Sequence, residues 1–169
     1  MGCLLLQALR SSGATSVVIT DAVPWRLEQA AKLGATETVL ADSNQEKRLK
    51  ALNPNGYNVV VEATGIPKVL EQSIGYARPR GKVWVFGVCP RDARASFIPY
   101  DVFRKDLSLI GSFAVNRTFQ ESIALIQSGA VRVEPLISHR LPLDHFVEGI
   151  DLAEHDPKRM KVQFAVSGA

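Results

Sequence analysis

A single acidic side chain stands at the end of an apolar run near the start of the chain. Residues 17–20 are apolar or β-branched, which is typical of a buried parallel strand, and Asp21 follows them directly. Pro24 then suits the first turn of a helix, and Gly34 suits its left-handed end. In a dinucleotide-binding βαβ unit, an acid in this place ends the second strand and accepts hydrogen bonds from the adenosine ribose. The pattern therefore favours nucleotide binding at Asp21.

Gly2 precedes Asp21 by 19 positions, which is close to the spacing of ~20 residues between the glycine loop and the ribose-binding acid of dinucleotide folds. The complete fingerprint is a strand, then G-x-G-x-x-G, then a helix, so Gly2 could only be its last glycine. Residues 4–9 (LLLQAL) predict an apolar helix, which Gly13 ends. This order favours Gly2 as the third glycine of a phosphate loop, where a side chain would obstruct helix–strand packing. The alternative is a flexible terminus.

Length and composition describe an ordinary globular protein. The chain has 169 residues, enough for one domain or one domain plus part of another, and 46% of them are hydrophobic while 22% are charged. No apolar run approaches the ~20 residues of a membrane-spanning helix, and no signal-peptide pattern follows Met1, so we expect no membrane association. The net charge is +3 with scattered basic residues and no nucleic-acid motif, so we expect no nucleic-acid partner.

The two cysteines indicate the redox state of the cellular compartment. Cys3 and Cys89 are far apart in the sequence and form no C-x-x-C pair. They predict neither a disulfide framework nor a complete zinc site, because both need more cysteines at closer spacing. We therefore expect a reducing, cytoplasmic location.

Strand and helix signals alternate along the chain after Gly34. The predicted strands lie at residues 37–40, 59–61, 82–86 and 107–111, and the helices between them lie at 43–52 and 67–77. A turn is expected at residues 79–81, and residues 90–100 are expected to be an irregular loop. Alternation of this kind predicts an α/β fold, a doubly wound parallel sheet with helices on both faces and right-handed crossovers.

Glycine and polar residues follow the predicted strands at their carboxyl ends. Asp21 ends one strand, Thr64 and Gly65 follow another, and Val88 follows a third. Ligands of doubly wound sheets bind at these ends, so one crevice could gather the four residues. Each of them alone could be a turn residue, and Glu62 could be a solvated strand terminus. Their shared position at strand ends favours a ligand site.

Seven segments spread over nearly the whole chain carry a family resemblance. In order they are MGCLLLQ, VVITDAVPWRLEQAAKLGA, VVVEATG, GKVWVFGV, DLSLIGSF, LIQSG and LISHRLPLDHF. Together they resemble the medium-chain, zinc-dependent alcohol and polyol dehydrogenases, of the sorbitol, arabinitol and threonine dehydrogenase kind. The resemblance implies a Rossmann-type sheet in strand order 3-2-1-4-5-6 that lacks its first strand and most of its phosphate loop.

The resemblance also implies roles for individual residues in holding NAD. An aspartate against the ribose favours NAD, because its carboxylate would repel the 2′-phosphate of NADP. The implied cofactor contacts are Gly2 in the phosphate loop, Asp21 and Arg26 at the ribose, Thr64 and Gly65 on the adenosine side, Gly87 and Val88 near the nicotinamide, Ser108 and Ile110 at the carboxamide, and Lys161 near the pyrophosphate.

Domain organisation follows from the same resemblance. Residues 1–138 would form an incomplete NAD-binding domain, and residues 139–169 would pack on a catalytic domain that holds zinc. In such enzymes zinc polarises the alcohol oxygen while a hydride passes to the nicotinamide. We assign no catalytic residue and no zinc ligand to this chain, since its three histidines lack metal-ligand spacing. The strand at residues 107–111 (LSLIG) is expected to pair with its copy in a homo-oligomer.

The leading hypothesis is therefore the nucleotide-binding part of an oxidoreductase that transfers a hydride between an alcohol or polyol and NAD, catalytically incomplete by itself. One alternative is a zinc-free, quinone reductase-like relative, which would share the nucleotide fold. Another is a non-catalytic nucleotide-binding or structural module. A methyltransferase also places an acid after its second strand, but it would not need the seven segments.

Overall fold

The computed structural model describes residues 1–113 and 117–166, in which helices and parallel strands alternate. The α-helices are α1 (Gly2–Ser11), α2 (Pro24–Lys32), α3 (Gln45–Leu52), α4 (Pro67–Tyr76), α5 (Pro99–Lys105), α6 (Phe119–Gln127) and α7 (Phe146–His155). The strands are β1 (Val18–Asp21), β2 (Glu37–Leu40), β3 (Tyr57–Glu62), β4 (Ala77–Val85), β5 (Ser108–Gly111), β6 (Ile137–Pro142) and β7 (Lys161–Ala165). Short 3-10 helices at Glu134–Leu136 and Leu143–His145 precede β6 and α7.

Strand pairing is parallel in each sheet. Strand β1 pairs with β2, β4 lies between β3 and β5, and β6 pairs with β7. Parallel neighbours cannot be joined by a hairpin, so a helix or long connection returns the chain after each strand. This confirms the predicted α/β class with parallel, Rossmann-type strands.

The chain forms two compact units. Residues 1–42 group with the described residues from Thr118 onwards, and the described residues between 43 and 117 form the second unit. The first unit holds the sheets β1–β2 and β6–β7, and the second holds β3–β4–β5. The division of the chain at residues 138 and 139 into two domains stays a prediction, and residues 167–169 of that segment lie outside the described part.

The core of the first unit joins α1, α2 and β1. Its buried cluster consists of Cys3, Leu6, Val17, Ala30, Leu33 and Leu136. Leu6 on α1 and Ala30 on α2 are both 0% exposed. Removing a leucine side chain from water contributes about 1.5–3 kcal/mol, so the apolar run in α1 anchors this unit as its sequence predicts.

A buried amide connects α1 to the segment before β6. Gln7 is 4% exposed, and its Nε2 donates to the carbonyl oxygens of Cys3 at 3.2 Å and Arg132 at 3.1 Å. The backbone N–H of Arg132 donates in return to Gln7 Oε1 at 2.8 Å. These bonds satisfy both polar backbone groups of Arg132, where the chain has no regular secondary structure.

Strand β4 begins earlier than predicted. It starts at Ala77, and its register against β3 shifts, with Tyr57 opposite Ala77 but Val59 opposite Lys82. The residues predicted as a turn at 79–81 therefore lie within β4, where its register against β3 is irregular, and Arg80 adopts a positive φ of 60° there. The turn prediction was wrong because a strand irregularity and a turn share the same glycine and proline signals.

Helix α5 was absent from the prediction for residues 90–100, which expected an irregular loop up to Tyr100. The helix begins at Pro99, and none of its residues is buried. Its Val102 is half-buried and packs against the core around Ile74 and Val83. A helix of seven residues is too short to show a clear apolar periodicity, so the sequence pattern did not reveal it. Lys105 at its end donates from Nζ to the carbonyl oxygens of Ile74, Gly75 and Ala77 at 3.3, 3.2 and 3.0 Å, which joins α5 to the end of α4.

Among residues 1–113 and 117–166, none of the helices combines the length and the apolar character needed to cross a bilayer.

We expect Gln7→Leu to lower the free energy of unfolding by about 1–3 kcal/mol, because the N–H and carbonyl of Arg132 would lose their partners. Urea unfolding followed by circular dichroism measures this. The matched control is Gln127→Leu at the exposed end of α6, which should change stability by less than about 0.5 kcal/mol. Equal stabilities of the Gln7 and Gln127 variants would show that the hydrogen bonds between Gln7 and Arg132 do not stabilise the fold.

Candidate functional site

Asp21 is the last residue of β1, as the sequence predicts, and its carboxylate is held in place by the start of α2. Its Oδ1 accepts a hydrogen bond from the backbone N–H of Val23 at 2.9 Å. Arg26 Nη1 lies 3.9 Å from the same oxygen, and about a third of each of these side chains is exposed. Helix α2 starts at Pro24, so its first turn brings Arg26 back towards the strand end. The carboxylate is thus oriented and still reachable from solvent.

A cleft of about 470 Å³ opens in the first unit beside Asp21. It is lined by the start of α1, the end of β1 and the chain around the start of β7. Three cationic side chains, Arg26, Arg159 and Lys161, share this cleft with the single acid. Its volume lies in the range of small-ligand sites, and its charge suits an anionic ligand.

The cleft gathers four of the predicted cofactor contacts, Gly2, Asp21, Arg26 and Lys161. Helix α1 begins at Gly2, so its first backbone N–H groups face this region and favour an anion. The steric reason proposed for Gly2 is not found among the described residues, because a Cβ there would meet no heavy atom within 4 Å. Its role as a phosphate-loop glycine stays a prediction. It rests only on the close approach of a phosphate to the backbone that a glycine would allow.

Lys161 owes its position to polar contacts between β6 and the chain before β7. Ser138 Oγ donates to the Lys161 carbonyl at 3.2 Å and accepts from the Met160 N–H at 3.0 Å. His139 Nδ1 lies 2.9 Å from the same hydroxyl, and His139 Nε2 lies 3.5 Å from Asp156 Oδ2. The serine hydroxyl is therefore engaged in holding the backbone. Sequence reasoning missed Ser138, His139 and the half-buried Arg159, because isolated polar residues carry no periodic signal.

The second unit brings Thr64 and Gly65 against Gly87 and Val88. Gly65 has a φ of +73°, and a Cβ on it would overlap the Val88 carbonyl, whose carbon would lie 2.8 Å away. A Cβ on Gly87 would overlap the Gly65 nitrogen and lie 2.9 Å from the Thr64 nitrogen. The loops after β3 and β4 therefore touch through backbone atoms, which only glycine permits at both positions. Val88 is 90% exposed beside them.

Glu62 corrects one expectation about this region. The sequence allowed it to be a solvated strand terminus, whereas the side chain is 0% exposed. Its Oε1 accepts hydrogen bonds from the Thr64 N–H at 2.6 Å and the Gly65 N–H at 2.9 Å. A carboxylate at a strand end gives the same sequence pattern whether it points into solvent or folds back onto the following turn.

Ser108 and Ile110 lie on β5, at the edge of the three-stranded sheet. They stand opposite Lys82 and Trp84 of β4, and because they are two residues apart they share one face of the strand. Both are exposed, with 40% of Ile110 accessible. Their proposed contact with a carboxamide, and the single crevice expected to join Asp21 with the loops of the second unit, stay predictions.

The residues that the structure describes do not fit a zinc site. Among them, no group of three or more histidine, cysteine, aspartate and glutamate side chains lies close enough together to hold a metal ion. Burial raises the pKa of the Cys3 thiol, which keeps it protonated at neutral pH and makes it a poor metal ligand. His145 is bonded to Glu148, with 2.8 Å between Nδ1 and Oε2.

A family model described as zinc-binding dehydrogenase matches residues 1–128. The chain belongs to the zinc-binding dehydrogenase family. This agrees with the resemblance carried by the seven sequence segments and with the parallel α/β architecture.

The relatives that this chain resembles are dehydrogenases. D-altritol 5-dehydrogenase of Agrobacterium fabrum is 34% identical over 165 residues, which are 98% of this chain and 48% of that protein. D-arabinitol dehydrogenase 1 of Uromyces fabae is 32% identical over 155 residues, 89% of this chain and 44% of that protein. A solved structure of a zinc-binding dehydrogenase from Sinorhizobium meliloti 1021 bound to NADP has a TM-score of 0.84 and 28% identity, over 95% of this chain and 48% of that one. The chain spans about half the length of the curated relatives it matches.

We expect Gly87→Ala to lower the free energy of unfolding by about 1–3 kcal/mol, because the new methyl group would overlap the backbone of Gly65 and crowd Glu62 Oε2 at 2.6 Å. Gly75→Ala on α4 is the matched control. A Cβ there meets no atom within 4 Å, and alanine should stabilise the helix by up to about 1 kcal/mol. Urea unfolding of both variants measures the difference. A Gly87 variant as stable as the wild type would show that the two loops do not touch.

We expect the pKa of the His145 imidazole to lie above its ordinary value of about 6.5, because the hydrogen bond to Glu148 and, more weakly, the charge of Asp144 favour the protonated ring. The stabilisation from this pair is full below the unfolded pKa and is lost as the pH rises through the raised folded pKa. An NMR titration of the ring measures this. Glu148→Gln should lower the pKa more than Asp144→Asn does, and the reverse order would contradict the assigned cause.

Proposed function

We propose that this chain is the nucleotide-binding part of an oxidoreductase that transfers a hydride between an alcohol or polyol and NAD. The observation that carries the proposal is the arrangement at Asp21, an oriented carboxylate at the end of β1 in a cleft with Arg26 and Lys161. A ribose hydroxyl pair needs an acceptor of this kind, and a pyrophosphate needs cations and free N–H groups beside it. Membership of the zinc-binding dehydrogenase family supports the same reading.

The cofactor preference follows from charge. The Asp21 carboxylate would accept hydrogen bonds from the 2′- and 3′-hydroxyls of the adenosine ribose and would repel the 2′-phosphate of NADP. Arg26 Nη1, 3.9 Å from Asp21 Oδ1, partly neutralises this charge and would also contact the ribose. The pyrophosphate would lie at the start of α1, near Gly2, with Lys161 and Arg159 lining the same cleft. We therefore assign NAD as the preferred dinucleotide.

The second unit would carry the remaining contacts. The loops after β3 and β4 touch each other. We propose that Thr64 and Gly65 contact the adenosine side and that Gly87 and Val88 contact the nicotinamide. When bound, the nicotinamide ring would accept the hydride of the alcohol. Ser108 and Ile110 are proposed to line its carboxamide from one face of β5.

The substrate and the zinc belong to the whole protein. Two of the relatives, D-altritol 5-dehydrogenase and D-arabinitol dehydrogenase 1, are named for polyol substrates, and this chain matches 48% and 44% of their lengths. We propose that the alcohol-binding and zinc-binding residues lie outside this chain, which would then be inactive by itself, and that residues 139–169 pack on the domain that holds them. No step of the chemistry is assigned to a residue described here.

A homo-oligomer and a cytoplasmic location complete the proposal. Strand β5 is the edge of its sheet and all four of its residues are exposed, so its free edge can pair with the same strand of a second copy. Both cysteines, Cys3 and Cys89, are free thiols, which suits a reducing compartment.

Titration with NADH, followed by energy transfer from tryptophan to the bound nicotinamide, tests the proposal. Asp21→Asn should weaken NADH binding about 10- to 100-fold, because hydrogen bonds to a charged acceptor are worth about 1.5–3 kcal/mol. The same variant should gain affinity for NADPH relative to NADH, since the repulsion of the 2′-phosphate is removed.

The matched control is Glu28→Gln, which removes one negative charge from an exposed position of α2 in the same unit and should leave both affinities unchanged. Unaltered NADH binding by the Asp21 variant would contradict the ribose assignment. A wild-type protein that binds neither NADH nor NADPH would point instead to a structural module.

A further inference from the structure

Glu62 is a buried carboxylate whose two oxygens have different surroundings. The side chain is 0% exposed at the end of β3. Its Oε1 accepts three hydrogen bonds, from the Thr64 N–H at 2.6 Å, the Thr64 hydroxyl, and the Gly65 N–H at 2.9 Å. Charge-assisted bonds of this kind are roughly twice as strong as neutral ones. One oxygen therefore holds the whole turn after β3 in a single conformation.

The backbone of Glu62 holds the second loop. Its carbonyl oxygen accepts hydrogen bonds from the N–H groups of Phe86 at 2.9 Å and Gly87 at 2.8 Å, where the chain leaves β4. Side chain and backbone of one residue thus bind both loops that carry Thr64, Gly65 and Gly87. The two loops can shift relative to each other only if these bonds break.

The other carboxylate oxygen is placed at a cost in stability. Glu62 Oε2 is buried without a hydrogen-bond partner among the described residues, and a Cβ built on Gly87 would lie 2.6 Å from it. A buried carboxylate oxygen without a partner is unfavourable. The three hydrogen bonds to Oε1 offset this cost, and they fix the geometry of the loop at the same time.

We propose that Glu62 is a positioning residue for the dinucleotide, which sets the loops after β3 and β4 in their binding conformation without touching the ligand itself. This assignment rests on the proposed function, since the loops matter only if they contact the cofactor. Glycine at positions 65 and 87 permits the close approach of the loops, and the Glu62 carboxylate selects one arrangement from those that glycine allows.

Two variants separate the charge of Glu62 from its reach. Glu62→Gln keeps the length of the side chain but makes the acceptor neutral, which weakens the three bonds to Oε1. Glu62→Asp keeps the charge but draws the carboxylate back by one methylene group, so that it no longer reaches both Thr64 and Gly65. Ile74→Val is the control, since Ile74 is 4% exposed in the core of the same unit, where it clusters with Ala77 and Val83.

The experiment combines NADH titration with amide hydrogen exchange by NMR. In the wild type, the Thr64 and Gly65 amides should exchange slowly before any ligand is added. Each Glu62 variant should exchange about tenfold faster at these two amides and bind NADH about tenfold more weakly, as expected for the loss of one charge-assisted bond. Ile74→Val should match the wild type in both measurements, although its melting temperature falls.

The outcomes distinguish the inference from the function on which it rests. Fast exchange at Thr64 and Gly65 in the wild type overturns the inference even if neither Glu62 variant folds. Wild-type NADH affinity in the Glu62 variants, or an equal loss in Ile74→Val, overturns the inference and leaves the proposed function standing. Failure of the wild type to bind NADH or NADPH overturns both.

Discussion

Parallel strand pairing is the constraint on which the rest of this structure depends. A parallel neighbour cannot follow through a tight turn, so each strand must end in a loop that leads into a helix or a long connection. Within a sheet, these loops emerge at the same edge, where backbone N–H groups and carbonyls are no longer paired. Each end therefore needs polar partners, which Asp21 provides for the Val23 N–H after β1 and Glu62 provides for the Thr64 and Gly65 N–H groups after β3.

In three places, one polar side chain holds irregular backbone together. Gln7 binds both backbone groups of Arg132, Ser138 binds the chain entering β7, and Glu62 binds the loops that leave β3 and β4. Each is buried or half-buried next to chain without regular hydrogen bonding. A side-chain oxygen or amide in such a place replaces the ladder or helix partner that the backbone lacks. A contact of this kind stabilises the fold at Gln7 and fixes the geometry of the two loops at Glu62.

The two units differ in the charge of the residues that are proposed to hold the cofactor. The first unit places three cationic side chains and one acid in a single cleft, which suits the anionic half of a dinucleotide. The second unit contributes touching backbone loops and an exposed valine, which suit the flat, weakly charged surfaces of bases and rings.

The sequence by itself determined the alternation of strands and helices, the position of Asp21 at a strand end, and the family, because apolar runs, helix-ending glycines and ordered motifs are local signals. It placed β2 at residues 37–40 and the start of α2 at Pro24 correctly. It could not show that residues 79–81 lie within β4, that α5 exists, or that Glu62 is buried. The first and the last depend on contacts with segments distant in the chain, and α5 is too short to show an apolar period. Only the tertiary structure decided that Arg159 lines the cleft of Asp21 and that Gly65 touches Val88, because such approaches are made by packing between elements rather than by any pattern within one.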